Sequence, residues 1–138
     1  MTTANRGKSA EAAVKKYLAK RSETIGFNFM RLPDARSGSF QPTTADFLAV
    51  SWGKPYFIEV KEVNHAFRLP SKNFGRDQRA RLRAFELAGA LARILVFHTP
   101  TKAWRALLLD HFEDDPPSWD LRHQPEITLD EAMTVSIL

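Results

Sequence analysis

Eight consecutive residues, Leu91 to His98, constrain this chain more than any other stretch: Leu-Ala-Arg-Ile-Leu-Val-Phe-His is apolar almost throughout. That is the pattern of a strand buried on both sides, and such a strand needs helices flanking its sheet. Two segments answer the need. Ala10, Ala13, Val14, Tyr17 and Leu18 recur at helical spacing and predict a helix from about Lys8 to Arg21, capped by Asn5 or Ser9. Phe74, Gln78, Leu82 and Phe85 do the same for a second helix, capped by Asn73, reaching about Ala88 and stopped by Gly89. Gln78 belongs to that helix's apolar side, whereas Arg76, Arg79 and Arg83 form a separate basic stripe.

Four more strands are expected. Phe27 to Leu32 is stopped by Pro33, and a polar loop from Asp34 to Thr44 leads to Ala45–Ser51. The turn Trp52-Gly53-Lys54-Pro55 then brings Tyr56–Glu62 back antiparallel as a hairpin. Trp104–Asp110 is the last, and residues 63–72 read as irregular chain. The order helix, three strands, helix, two strands predicts a single α/β (α+β) domain over 1–138 with a mixed sheet of about five strands. Beyond the break at Asp114-Asp115-Pro116-Pro117, Thr128 to Met133 reads as a short capped helix within an acidic C-terminal extension from about 111.

Charge is unevenly placed. Residues 1–105 hold 19 Lys and Arg against 8 Asp and Glu, a balance of +11; residues 106–138 hold 1 against 8, a balance of −7. A basic body with an acidic end suits one face built for a polyanion and another kept from it. The absence of cysteine excludes disulfides, thiol nucleophiles and cysteine zinc sites. No run of 18 apolar residues occurs, so a soluble, cytoplasmic protein is expected, with no membrane partner.

Along Tyr56–Glu62, Phe57, Glu59 and Lys61 share one face while Tyr56, Ile58, Val60 and Glu62 share the other. Glu59 and Lys61 then stand about 6.6 Å apart. Alone, such a pair is usually a solvated surface pair of little worth. Asp46 opens the neighbouring strand, however, and Glu11 comes from the helix packed on this sheet. Converging carboxylates repel unless a hard divalent cation neutralises them, and Mg²⁺ or Mn²⁺ prefers oxygen ligands. A lysine beside such a cation can position an attacking water or offset charge on a phosphate.

Asp46, twelve intervening residues, then Glu59-Val60-Lys61 resembles the motif of the PD-(D/E)XK nuclease superfamily, with the usual proline displaced to Pro42. Arg6 to Glu11, Arg36-Ser37-Gly38-Ser39, Phe57 to Glu62, Leu69 to Phe74, Gln78 and the strand at 94–97 are similar to Holliday-junction resolvases, the RecU-type in particular. The resemblance implies a restriction-endonuclease-like fold and a metal-dependent endodeoxyribonuclease acting on branched DNA, as a homodimer with two sites for two incisions. It implies Mg²⁺ (or Mn²⁺) held by Asp46, Glu59 and the backbone carbonyl of Val60, with Glu11 reaching it directly or through water. Lys61 would serve the nucleophilic water and Gln78 would support the site. Arg6, Lys8, Arg31, Arg36, Ser39, Arg76 and Arg79 are the candidate DNA contacts. A repair or restriction-like nuclease on linear, damaged or single-stranded DNA is the first alternative; a non-catalytic DNA-binding module is the second.

Overall fold

The computed structural model describes residues 8–33, 44–64 and 67–137. Its centre is a five-stranded sheet in the order β1 (Phe27–Arg31), β2 (Phe47–Ser51), β3 (Lys54–Val63), β5 (Leu91–His98), β6 (Ala103–Leu107). The first three strands form an antiparallel meander, β3 and β5 run parallel, and β6 returns antiparallel at the far edge. Helix α1 (Lys8–Arg21) covers one face and α2 (Arg76–Leu87) the other.

The apolar strand behaves as its composition demands. Neighbouring residues of β5 enter different cores: Leu95 packs with Val14, Leu18, Tyr56 and Ile58 on the α1 side, and Ile94 with Phe57, Leu82 and Trp119 on the α2 side. Both residues are fully buried. The mixed α/β architecture with five strands is thus the one that the sequence predicts.

Several boundaries differ for local reasons. The hairpin turn is tighter than read: Ser51 pairs with Lys54, so only Trp52 and Gly53 form the loop, both at positive φ (48° and 84°), as a twist-matched two-residue turn requires. Helix α2 begins at Arg76 after Gly75, because Ser71–Asn73 form a separate 3-10 turn. The last strand of the sheet stops at Leu107, and Leu109–His111 curl into another 3-10 turn.

A second small sheet was not foreseen. β4 (Arg68–Pro70) pairs with β7 (Ser118–Asp120), Leu69 opposite Trp119. Three residues per strand carry too little alternation to be read, and the pairing spans some fifty positions of chain. The acidic extension is therefore no loose appendage: Leu109, Phe112, Trp119 and Leu121 are buried in the α2-side core. Helix α3 (Leu129–Ser136) then closes the α1 side with Ala132 and Met133. Its start is fixed as expected, Thr128 accepting from the Glu131 N–H (3.1 Å) and the Glu131 carboxylate accepting from the Thr128 N–H (3.2 Å). Among the described residues no helix is long and apolar enough to cross a membrane.

If β5 is two-sided, Ile94→Ala and Leu95→Ala will each cost about 2–5 kcal/mol of unfolding free energy by denaturant titration. A loss below about 1 kcal/mol for either would show that its face is not a core.

Candidate active site

The site forms where β2 gives out. Asp46 is held between its neighbours by the backbone, its N–H donating to the Ile58 carbonyl (3.1 Å) and its carbonyl accepting from the Leu32 N–H (2.8 Å). Beyond Ile58 β2 has no residue left to pair with Val60 on that side of β3, and the Asp46 carboxylate accepts the Val60 N–H instead (2.8 Å). Strand geometry turns the Val60 carbonyl toward the same side as its N–H. Two oxygen donors, a carboxylate and a carbonyl, thus face the gap.

Glu59 and Lys61 lie on the α2 face of β3, as alternation predicts, with Lys61 Nζ 3.0 Å from Glu59 Oε2. Gln78 reaches down from α2, its amide donating to Glu59 Oε2 (2.5 Å) and to the Thr44 carbonyl (3.2 Å). Glu59 is buried and Lys61 nearly so, with side chains 7% and 16% exposed. The Lys61 ammonium also lies over the Phe74 ring, 5.3 Å from its centre. In the sequence that ring is only part of an apolar stripe; nothing there marks a cation–ring contact across thirteen positions.

Asp46 and Glu59 touch. Burial, and then the Glu59 charge and hydrogen bond, push the Asp46 carboxyl up to about 9, against the downward pull of the Val60 N–H. Burial and the neighbouring carboxylate favour the protonated form of Asp46, and a bound cation would take the place of that proton. Two carboxylates and a carbonyl suit Mg²⁺ or Mn²⁺, which keeps several waters when bound. The residues present fit such an ion.

Glu11 is not brought into this group. Helix α1 lies across the other face of the sheet, where Arg31 takes the Glu11 carboxylate in an ion pair. Among the described residues no three acidic or imidazole side chains are grouped closely enough to hold a metal. Glu11 still acts on Asp46 through its charge. A helical stripe identifies which side of α1 meets the sheet, but not which face of the sheet it meets.

The expected DNA contacts divide. Arg6, Arg36 and Ser39 lie outside the described residues, as does the side chain of Lys8. Arg31 is engaged by Glu11, and Arg76 is exposed but paired with Asp115. The placement of Arg79 as a phosphate contact needs correction. Its side chain is only 11% exposed and donates to the carbonyls of Phe74 (3.1 Å), Phe112 (2.8 Å) and Asp114 (3.0 Å) while lying over the Trp119 ring. It is committed to holding the chain together.

Neither a family model nor a curated protein matches the sequence. Among solved structures, the chain superposes on Hjc, a Holliday junction resolvase from the archaeal hyperthermophile Archaeoglobus fulgidus, with a TM-score of 0.64 at 23% identity, covering 91% of this chain and 98% of that one. The fold is restriction-endonuclease-like. At this identity the likeness speaks for the fold, and the chemistry has to be argued from the side chains.

A raised carboxyl pKa means that the folded protein keeps a proton which the unfolded chain releases above its ordinary value of 3.8. Stability of the metal-free protein should therefore fall as pH rises from about 4 towards 9. Asp46→Asn, which mimics the protonated group, should flatten that dependence and exceed the parent by more than about 1 kcal/mol at pH 8 in chelator. Parallel pH profiles for the two proteins would refute the shift.

Proposed function

We propose that the chain is a metal-dependent endodeoxyribonuclease of the PD-(D/E)XK kind, which resolves branched DNA such as Holliday junctions by phosphodiester hydrolysis. The observation that carries this reading is the convergence of Asp46, Glu59, Lys61 and Gln78 at one strand end. The fold shared with an archaeal resolvase and the basic balance of residues 1–105 support it. In this reading Asp46, Glu59 and the Val60 carbonyl hold Mg²⁺ or Mn²⁺. When bound, the ion supplies positive charge against the phosphate as negative charge builds on its oxygens.

The chain's own groups do the positioning. Gln78 spends its amide on Glu59 and Thr44, which fixes the carboxylate. Lys61 has three donors, one of them used by Glu59; another is available to a water attacking phosphorus or to a phosphate oxygen. The Phe74 ring limits where that ammonium can go. As the water oxygen bonds to phosphorus and releases its proton to solvent, one phosphorus–oxygen ester bond breaks, the departing sugar oxygen takes a proton from solvent, and the ammonium offsets the charge that develops. Two such chains as a homodimer would present the two sites that paired incisions across a junction need.

Cleavage of a synthetic four-way junction should require Mg²⁺ or Mn²⁺ and fall by at least about 100-fold in Asp46→Ala, Glu59→Ala and Lys61→Ala, with junction binding retained. Gln78→Ala, which only frees the Glu59 carboxylate, should cost about 10–100-fold. Equal cutting of linear duplex by the parent would favour a repair or restriction-like nuclease. No cutting of any DNA with either metal would favour a DNA-binding module.

A further inference from the structure

Helix α2 carries two faces with different duties. At about 100° per residue, Gln78, Leu82 and Phe85 point to one arc while Arg76, Arg79 and Arg83 fall within a neighbouring arc of about 60°. From Arg76 to Arg83 the arginine row spans about 10 Å, the rise of some three nucleotides in one strand. It runs beside the helix turn that delivers Gln78 to Glu59. A row of guanidinium groups leading away from a phosphodiester-cleaving site has the form of a track for the flanking phosphates.

In the free protein this row is already occupied by carboxylates of the chain's own acidic segment. Arg76 donates to Asp115 (2.8 Å from Nε), Arg79 to the other oxygen of Asp115 (2.5 Å), and Arg83 to Asp110 (2.5 Å). The three pairs are not equivalent. Arg79 is mostly covered and bonded to three carbonyls, so it anchors the segment whatever else happens. Arg76 and Arg83 have side chains 77% and 42% exposed, and Asp110 is 69% exposed. Arg83 also keeps Glu86 on its own helix. Exposed pairs of this kind are worth little and exchange readily, whereas a phosphate taken from DNA adds counterion release.

We propose that the arginine row of α2 is a phosphate-binding track for DNA that the acidic segment 110–115 occupies as an internal stand-in, so that binding exchanges carboxylate for phosphate at Arg76 and Arg83 while Arg79 stays in place. The inference rests on the nuclease reading above and names how that site receives the flanking strand. It also gives the acidic segment a purpose: it raises the threshold for DNA, favouring ligands that present several phosphates at once.

The test uses the full chain in chelator, so that nothing is cut, with a labelled four-way junction and a linear duplex read by anisotropy between 50 and 200 mM NaCl. Asp110→Asn should bind about two- to fivefold tighter at low salt, the gain shrinking at high salt and disappearing in an Arg83→Ala background. Asp115→Asn should act alike through Arg76, but because Asp115 also holds Arg79, Asp110 decides. A gain that survives Arg83→Ala would be a mere change of overall charge and would overturn the proposal. So would parent-like binding by Asp110→Asn, which would leave the nuclease reading standing. Binding by Asp110→Asn where the parent binds no DNA would support the mask strongly, and binding by neither would remove both readings together.

Discussion

Two carboxyl groups in contact, the buried Glu59 and the partly buried Asp46, cannot both carry full charge without help, because burial removes the water that would screen them. The surroundings supply that help in stages. The Val60 N–H, left over where β2 ends, goes to Asp46; the Gln78 amide and the Lys61 ammonium go to Glu59. The donors come from β3 and α2 and Asp46 from the end of β2, so the site exists only when the meander and α2 are both in place. The pair is thus the point at which the fold's separate parts have to agree.

The same helix that completes the site ties down the acidic end of the chain. Arg79 reaches from α2 to the carbonyls of Phe112 and Asp114, and the Phe74, Phe112 and Trp119 rings stack edge to face beneath it. Since Lys61 rests on Phe74, an unbroken series of ring contacts links the ammonium to the segment from 112 to 119. What looked like an acidic extension is the floor on which one side of the site is built.

Legibility followed the range of the physics. Alternation along a strand and periodicity along a helix are local, so the α1 bounds, the faces of Glu59 and Lys61, and the inward aim of Gln78 could all be read from residue order. Glu11 could not be placed, because its neighbour depends on which face of the sheet α1 covers, a matter of packing between distant segments. Arg79 misled for a related reason: an arginine in a basic row looks solvated until the partner chain, thirty-odd residues on, is folded against it. The Leu69–Trp119 pairing was invisible on the same grounds.

The parallel pairing of β3 with β5 has a consequence in time as well as in space. The meander β1–β2–β3 can zip from the Trp52-Gly53 turn with little chain to order, but β5 can join β3 only after the intervening chain, α2 included, has looped round. Asp46 and Glu59 therefore come together in the early hairpin, before Gln78 arrives. For that interval the carboxyl pair is wet and its repulsion screened, and the electrostatic burden falls due only as α2 docks. The docking of α2 is the step that the charge at the centre opposes most.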